Sequence, residues 1–329
     1  MKAIEFTAFG RPAEMARLVE RPDPPPPGAG EVLVETLLAT VNPADLLTIE
    51  GRYGVRPRLP AIPGAEAVGR VAALGDGVAD LAVGDVVLIM TGATWRDRTV
   101  LKAAAVMRLP PDIDIEQAAM IKANPATAAA MIGGIVPLVA GEWLIQNAAN
   151  SAAGRFVVQL GRRRGIRTVN VVRRDGPAAE LRALGGDVVL VDDGRDPARL
   201  AAAVAEATGN AVIRLGLDAV GGTATDGLAA SLGEGGVIAN YGLLSGAACQ
   251  VDPFHLVFRG IRLQGFWLAQ HAKAQGAAAM RDLFAELIEL VAAGEIRAEV
   301  EARYPFARIG EALDHAARPG RSGKILLTP

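Results

Sequence analysis

A strand–helix–strand pattern between Ile145 and Arg174 constrains the fold of this 329-residue chain more than any other feature. The segment reads IQNAANSAAGRFVVQLGRRRGIRTVNVVRR: an apolar strand, a turn of small residues, an amphipathic helix and a second apolar strand. Two parallel strands joined by a helix form a right-handed crossover, and the first turn of such a unit commonly binds the diphosphate of a dinucleotide. The segment therefore predicts an α/β domain that binds a dinucleotide.

The same rhythm continues on both sides of this segment, from about residue 123 to about residue 269. Apolar runs with a helical pattern between most of them predict strands at Trp143–Gln146, Thr168–Val172, Val188–Val191, Ile213–Asp218, Gly236–Tyr241 and Ile261–Phe266. One intervening helix is expected over Pro197–Thr208. Six strands with crossovers predict a doubly wound parallel sheet.

The rest of the chain has a different pattern. Up to about residue 120, short valine-rich and leucine-rich strands alternate with Gly/Pro turns, which predicts a mostly β domain with a partly closed barrel. After about residue 270 come a long amphipathic helix and a last strand, GKILLTP, which could pack back on this domain. We therefore expect a discontinuous domain of residues 1–122 and 270–329 and a dinucleotide-binding domain of residues 123–269.

The turn after Gln146 lacks the usual G-x-G-x-x-G motif, yet its residues can do the same work. Asn147 or Asn150 could adopt the left-handed backbone of the turn, Gly154 allows close helix–strand packing, and Ser151 can cap the helix or donate to phosphate. An ordinary turn without a ligand is the alternative. Where an acidic residue would bind the ribose of NAD, Arg173 and Arg174 indicate the 2′-phosphate of NADP, unless they are only solvated loop charges.

Composition excludes several other classes of protein. With 34 basic and 36 acidic residues the net charge is −2, so nothing indicates a nucleic-acid partner. The single cysteine, Cys249, fits a reducing compartment, and no apolar run is long enough for a membrane helix. The first residues lack the apolar region of a secretory signal, and we expect a cytoplasmic protein.

Several blocks of sequence resemble the medium-chain dehydrogenase/reductase superfamily, and within it the mitochondrial-type 2-enoyl thioester reductases. They are NPADLLTIEGRYG at 42–54, MTGATWRD at 90–97, NPATAA at 124–129, IQNAANS at 145–151, LQGFWLAQ at 263–270 and SGKILL at 322–327. The resemblance implies a Rossmann domain, a GroES-like catalytic domain and NADPH as cofactor. It also implies reduction of the double bond of trans-2-enoyl thioesters on CoA or acyl carrier protein.

The resemblance also implies roles for individual residues. The turn at the diphosphate would be formed by Asn150, Ser151, Ala152 and Ala153, and the adenosine phosphate would be surrounded by Arg173, Arg174 and Asp175. The cofactor groove would be lined by Tyr241, Gly242, Leu243 and Leu244, and the nicotinamide held by Phe266, Trp267 and Leu268. Lys324 would reach the cofactor from the last strand, and Asn42, Trp95, Asn124 and Thr127 would lie near substrate or cofactor. Trp95 could equally be a core residue. The family has glycine where this chain has Ala152, and arginine where it has Asp175.

Zinc chemistry is not expected. Zinc-containing relatives place a histidine where this chain has Ala65, and no cysteine occurs in the first domain. Glu66 alone is better explained as a structural carboxylate, and His255, His271 and His315 lack the spacing of metal ligands.

Reduction of an enoyl thioester without a metal needs a proton donor at the α-carbon after hydride has added to the β-carbon. Tyr53 matches the proposed donor of the family, whereas an isolated loop tyrosine would ordinarily be structural. An NADPH-dependent reductase of quinones or small enones would not need Tyr53. A non-catalytic NADPH-binding or RNA-binding protein is a further alternative, although no basic stripe with interleaved aromatic residues supports it. We also expect a homodimer, because the strand containing LQGFW should be the edge of its sheet.

Overall fold

The computed structural model describes residues 1–318 and 320–329, which form two compact units. The first unit contains residues 1–123 and 284–329, and the second contains residues 124–283. The return to the first unit therefore lies later than the expected boundary at 269/270. The reason is that a helix beginning at Leu268 still belongs to the second unit in its first half, where Met280 and Leu283 line a cavity with Ala129.

The elements are as follows. The strands are β1 (Lys2–Glu5), β2 (Arg17–Glu20), β3 (Glu31–Val41), β4 (Ala67–Leu74), β5 (Val86–Ile89), β6 (Arg98–Lys102), β7 (Val106–Arg108), β8 (Trp143–Gln146), β9 (Arg167–Val172), β10 (Val188–Val191), β11 (Ile213–Asp218), β12 (Val237–Asn240), β13 (Arg262–Gly265), β14 (Val300–Pro305) and β15 (Lys324–Thr328). The α-helices are α1 (Pro12–Met15), α2 (Pro43–Glu50), α3 (Ile115–Ala118), α4 (Asn124–Gly134), α5 (Ala152–Arg163), α6 (Ala178–Ala183), α7 (Pro197–Thr208), α8 (Ala224–Ser231), α9 (Pro253–Val257), α10 (Leu268–Ala292) and α11 (Ile309–Ala317). Helix α10 is interrupted at Gly276, and short 3₁₀ turns cover Ala103–Ala105 and Phe306–Arg308.

The second unit confirms the predicted doubly wound sheet. Within residues 124–283, six parallel strands lie in the order β10-β9-β8-β11-β12-β13. The predicted bounds of β8, β10, β11 and α7 are confirmed residue for residue; β9 begins one residue earlier than predicted, and β12 and β13 are each one residue shorter at both ends. From β8 successive strands are added toward one edge of the sheet, and from β11 toward the other, and ligands of such sheets bind at the carboxyl ends of the strands beside this point.

The first unit is built around β3, which confirms the expectation of a mostly β domain. This strand pairs in antiparallel register with β4, β6 and β15. Alternate residues such as Val32 and Val34 are fully buried, as expected for a strand with one face on a core. The same core includes Trp95 from the segment before β6 and Phe306 from the C-terminal part of the chain.

Candidate functional site

The turn after β8 has the form of a nucleotide-binding turn, but its left-handed residue differs from the expectation. Neither Asn147 nor Asn150 adopts that conformation; Ala148 does, with φ 47°. The Asn147 side chain is used differently, because its amide donates to Asp218 at 2.6 Å and accepts from the N–H of Ala219 at 2.8 Å. The turn is thus held by a buried side chain, so the left-handed position does not require asparagine.

Helix α5 begins immediately after this turn. Ser151 is its N-cap, and its hydroxyl accepts a hydrogen bond from the Gly154 N–H at 3.1 Å. A Cβ at Gly154 would lie 2.6 Å from the Ala149 carbonyl oxygen, so only glycine allows the helix to start this close to the turn. The first N–H groups of a helix lack intrahelical acceptors and attract anions. Ala152 and Ala153 therefore present small side chains and backbone donors at this end, as a diphosphate requires.

Asp218, at the end of β11, joins three loops of the carboxyl edge and was not singled out from the sequence. Its carboxylate accepts at 2.6 to 3.0 Å from the side chains of Asn147, Thr225 and Asn240 and from the N–H groups of Val220 and Gly221. Burial alone would raise the pKa of Asp218, but these hydrogen bonds lower it overall. An aspartate at the end of a mostly apolar strand was the signal that could have revealed it.

The residues predicted to surround the adenosine phosphate lie beyond the end of β9. Arg173, Arg174 and Asp175 are all exposed. Within residues 1–318 and 320–329, neither guanidinium forms a side-chain hydrogen bond or an ion pair. Both are therefore available to an anionic group at the carboxyl edge of the sheet.

The remaining residues of the predicted groove follow β12 and β13. The N–H of Tyr241 bonds to the Asp218 carbonyl at 2.9 Å, and burial raises the pKa of its hydroxyl, which the neighbouring Ser151 side chain opposes. The N–H of Phe266 bonds to the Asn240 carbonyl at 2.8 Å. The structure thus brings Tyr241 to the same edge as the turn and Asp218.

The other residues predicted for the groove come directly after Tyr241 and Phe266 in the chain. Gly242 is half-buried, Leu243 and Leu244 are exposed, and Trp267 and Leu268 are half-buried. Asn124 and Thr127 lie half-buried in the first turns of α4, which packs on α5.

In the first unit, Tyr53 lies on a loop that is fixed at both ends. The N–H groups of Arg52 and Tyr53 both bond to the Leu47 carbonyl, at 2.8 and 3.1 Å, after Gly51 ends α2 with φ 73°. This left-handed position favours glycine, and a Cβ there would also lie 2.9 Å from the ring of Phe9. At the other end, Ala61 exchanges two backbone hydrogen bonds of 3.0 Å with Phe6. Tyr53 itself is half-buried.

The start of α2 is fixed by a buried polar network centred on Glu66. Glu66 is fully buried, and its Oε1 accepts from the Thr40 hydroxyl at 2.8 Å and the Asn42 amide at 2.9 Å. Its other carboxylate oxygen accepts from the Ala123 N–H at 2.7 Å. The buried ammonium of Lys324 donates to Asn42 Oδ1 and lies 4.0 Å from Glu66. The interpretation of Glu66 as a structural carboxylate thus agrees with the geometry.

Three residues to which the resemblance gives roles near cofactor or substrate lie in or beside this network. Lys324 is only 4% exposed and bonds to Asn42, so in the first unit its ammonium balances the Glu66 charge, and its contact with a cofactor stays a prediction. Asn42 caps α2 and is likewise buried; its amide nitrogen donates to Thr40 and Glu66, and its amide oxygen accepts from Lys324. Trp95 is fully buried and donates from its indole to the Thr40 carbonyl at 3.0 Å, which agrees with the alternative that it is a core residue.

Asp45 links this network to pH. It accepts from the Asn42 N–H at 2.8 Å within the capping box of α2. Burial raises the pKa of Asp45 from 3.8 to about 7, and the nearby Glu66 carboxylate adds to the shift. Because the folded-state pKa is raised, the stability associated with the protonated group is fully present below pH 3.8 and is lost as the pH rises through about 7.

We therefore expect Asp45→Asn to stabilise the protein relative to wild type more at about pH 8 than at about pH 5, because the amide keeps the acceptor without the buried charge. Thermal denaturation at both pH values tests this. A difference in Tm between variant and wild type that stays constant with pH would contradict it.

Metal-ion clusters and membrane-spanning helices are both absent from the described residues. Over residues 1–318 and 320–329, no group of three or more His, Cys, Asp or Glu side chains could hold a metal ion. In the same part of the chain, no helix is both long and apolar enough to span a bilayer. His315 contacts the Tyr304 hydroxyl and Glu301, each at 3.0 Å.

Comparison with known proteins gives a consistent result across both units. The alcohol dehydrogenase GroES-like domain model matches residues 28–131, and the zinc-binding dehydrogenase model matches residues 152–289. The mitochondrial enoyl-[acyl-carrier-protein] reductase of Rattus norvegicus is 32% identical over 335 aligned residues, covering 100% of this chain and 88% of that protein.

Solved structures are similar over the whole chain. A Bacillus thuringiensis protein provisionally named an NADPH:quinone reductase has a TM-score of 0.90 and 31% identity, covering 100% of this chain and 98% of its own. The complex of Etr1p with NADP and crotonyl-CoA has a TM-score of 0.86 and 25% identity, covering 100% and 99% of the two chains.

Proposed function

Because this chain belongs to the medium-chain dehydrogenase/reductase family, in its zinc-free branch, we propose that it reduces the double bond of trans-2-enoyl thioesters with NADPH. The observation that carries the proposal is Tyr53, a half-buried phenol held on a loop fixed at both ends. The names of the rat relative and of the crotonyl-CoA complex support the same substrate class. The carrier of the acyl group would be CoA or acyl carrier protein.

The carboxyl edge of the second unit fits NADPH. Ser151 and the first N–H groups of α5 would hold the diphosphate, and Gly154 keeps the backbone close enough to the turn. Arg173 and Arg174 would bind the 2′-phosphate, for which planar guanidinium groups are well suited. When bound, NADPH supplies the hydride that adds to the β-carbon of the substrate.

Tyr53 would supply the proton. Addition at the β-carbon leaves negative charge that an acid must neutralise at the α-carbon, and a phenol can donate there. The two hydrogen bonds to the Leu47 carbonyl restrict the backbone of Tyr53, which limits the positions that its side chain can take before substrate binds. The buried network of Glu66, Asn42 and Lys324 fixes the start of α2, the helix that ends just before the Tyr53 loop.

The direct test compares NADPH oxidation by the purified protein with crotonyl-CoA, a longer trans-2-enoyl-CoA and a quinone. The proposal predicts a higher kcat/KM for an enoyl thioester than for the quinone. A protein that oxidises NADPH only with the quinone would refute enoyl reduction.

Quinone reduction is the second candidate. The structural similarity to the Bacillus thuringiensis protein, at 31% identity over the whole chain, favours it. It would use the same carboxyl edge of the second unit, but a quinone is reduced without protonation at carbon, so the position of Tyr53 would have no explanation.

We predict that the protein prefers NADPH over NADH by more than about tenfold in kcat/KM, since hydrogen bonds to charged groups contribute about 1.5–3 kcal/mol each. The double variant Arg173→Ala/Arg174→Ala should lose this preference while keeping its activity with NADH. Arg195→Ala, whose side chain is 86% exposed in the same unit, is the matched control and should keep it. Equal use of both cofactors by the wild type would remove the basis for this role of the two arginines.

We also propose a homodimer formed through the β13 edge of the second unit. Strand β13 pairs only with β12 within residues 124–283, and an apolar surface lies beside it. This surface consists of Phe254, Leu256, Val257, Phe258 and Leu263, which are 39 to 73% exposed. An unpaired edge with exposed apolar side chains is suited to twofold pairing with a second copy.

The dimer is tested by analytical ultracentrifugation. We expect a dimer at micromolar concentration for the wild type and a monomer for Val257→Glu/Phe258→Glu, because buried charges oppose association. Exposed Val83→Glu in the first unit is a control that should remain dimeric. A wild-type monomer throughout the micromolar range would exclude this proposal.

A further inference from the structure

The loop that carries Tyr53 is basic. Residues 51–60, GRYGVRPRLP, contain three arginines and no acidic residue, whereas the whole chain has a net charge of −2. Arg52, Arg56 and Arg58 are all exposed. Residues 51–60, with these three side chains, are called the arginine loop below.

Little in the first unit neutralises the arginine loop. Arg52 lies 3.2 Å from Glu50, but its side chain is 61% exposed, and such surface pairs contribute little. Arg56 and Arg58 form no ion pair within residues 1–318 and 320–329. The loop therefore presents positive charge that an anionic ligand could neutralise.

The arginine loop is also held in place. The guanidinium of Arg56 lies 4.1 Å above the ring of Phe9, and that ring packs edge-on against the buried Phe6 at 6.0 Å. At the start of the loop, the N–H groups of Arg52 and Tyr53 bond to the Leu47 carbonyl. Directly after the loop, the backbone of Ala61 pairs with that of Phe6. A ligand would therefore lose little affinity to ordering of the loop backbone and of Arg56.

The position of the arginines relative to Tyr53 indicates which part of a ligand they would meet. Arg52 is adjacent to Tyr53, and Arg58 is five residues away, a span of at most about 17 Å in extended chain. A thioester whose reacting carbons lie at Tyr53 would extend its carrier end outward, toward the exposed side of this loop. In CoA, the pantetheine arm leads to a diphosphate and a 3′-phosphate.

We propose that Arg52, Arg56 and Arg58 bind the phosphates of CoA and so select CoA thioesters as substrates; this inference rests on the proposed enoyl reduction at Tyr53. Guanidinium groups pair well with phosphate oxygens, and three of them on one short loop match a compact polyanion.

The experiment compares two substrates with the same acyl group, crotonyl-CoA and crotonyl-pantetheine, which lacks all of the phosphates. For the wild type we expect a higher KM with crotonyl-pantetheine and a similar kcat. For Arg52→Gln/Arg56→Gln/Arg58→Gln we expect the KM for crotonyl-CoA to rise about 10-fold to 100-fold, as the loss of three charge contacts allows. The kinetic constants for crotonyl-pantetheine should stay within about twofold, because no phosphate contact is lost with that substrate.

A matched control removes three exposed arginines from elsewhere in the first unit: Arg17→Gln/Arg98→Gln/Arg308→Gln. It changes the net charge equally and should leave the KM for crotonyl-CoA near that of the wild type. Added salt should raise this KM in the wild type but much less in the arginine-loop variant, since exposed charges are screened.

The outcomes separate this inference from the proposed function. A wild type that reduces neither thioester contradicts the proposed function itself. A wild type with equal kcat/KM for both thioesters, or an arginine-loop variant that loses activity with both equally, overturns only the role of the arginines. If the variant is impaired with crotonyl-acyl carrier protein but not with crotonyl-CoA, the partner is the protein carrier and the CoA assignment is wrong.

Discussion

Replacing Tyr53 by phenylalanine should lower the rate of crotonyl-CoA reduction about 10²-fold to 10⁴-fold, the usual contribution of a general acid. The change removes one hydroxyl and keeps the ring, so the packing of the loop is retained. Because the backbone of the loop is held by Leu47 and Phe6, the fold should be unaffected. Steady-state kinetics with crotonyl-CoA, together with a thermal denaturation curve, gives the measurement.

Tyr304→Phe is the matched control for this substitution. Tyr304 is also half-buried in the first unit, but its hydroxyl bonds to His315 on α11, so its loss should affect stability more than turnover. Any quinone reduction by Tyr53→Phe should be spared, and NADPH affinity should change only a few-fold. If Tyr53→Phe reduced crotonyl-CoA at the wild-type rate, the proton would come from another donor and the role given to Tyr53 would be wrong.

The second large effect is expected at Glu66. Glu66→Ala should lower the free energy of unfolding by about 3–5 kcal/mol, the range found when one partner of a buried ion pair is removed. The Lys324 ammonium would be left buried without its carboxylate, and the donors of Thr40, Asn42 and Ala123 would lose their acceptor. The midpoint of urea denaturation, followed by circular dichroism, measures the effect.

A double-mutant cycle shows whether the loss comes from the charge pair. In Glu66→Ala/Lys324→Met both charges are removed together, so the loss should be clearly smaller than the sum of the two single losses. Strict additivity would mean that the two side chains stabilise the fold independently. An exposed acidic residue of the same unit, Glu299→Ala, provides a control that should have a small effect.

The strands of the second unit could be predicted closely because local chemistry determines them. Mostly apolar runs bounded by glycine, asparagine or charge mark buried parallel strands, and the bounds of β8, β10 and β11 follow from them. Ser151 and Gly154 were also predictable, since a capping residue and a close-packing glycine act within a few residues of their partners. In each of these contacts the two residues are only a few positions apart in the sequence.

Other features depend on contacts between distant parts of the chain. Asn42 and Lys324 are 282 residues apart, and nothing near either residue indicates the other. The carboxylate of Asp218 accepts a hydrogen bond from Asn147, which is 71 residues away, and this bond holds the turn. The left-handed conformation of the turn is at Ala148. Trp95 could not be assigned from its neighbours, because the strand that covers it comes from another part of the sheet.

The boundary after the second unit shows a similar limit. The helical pattern after residue 270 is clear in the sequence, but the pattern does not tell which side chains of α10 pack on which unit. Gly276 interrupts this helix, and Met280 still belongs to the second unit. The sequence pattern changes at the start of α10, whereas the chain passes from the second unit to the first within α10, after Leu283.

The most direct test of the account is to follow the transferred atoms in the product. The protein is incubated with crotonyl-CoA and NADPH that carries deuterium at the transferred position, and the reaction is repeated with unlabelled NADPH in deuterated water. We predict butyryl-CoA with the cofactor's deuterium at the β-carbon in the first reaction and solvent deuterium at the α-carbon in the second. Failure to form butyryl-CoA, while a quinone is reduced under the same conditions, would contradict the proposed reduction of enoyl thioesters.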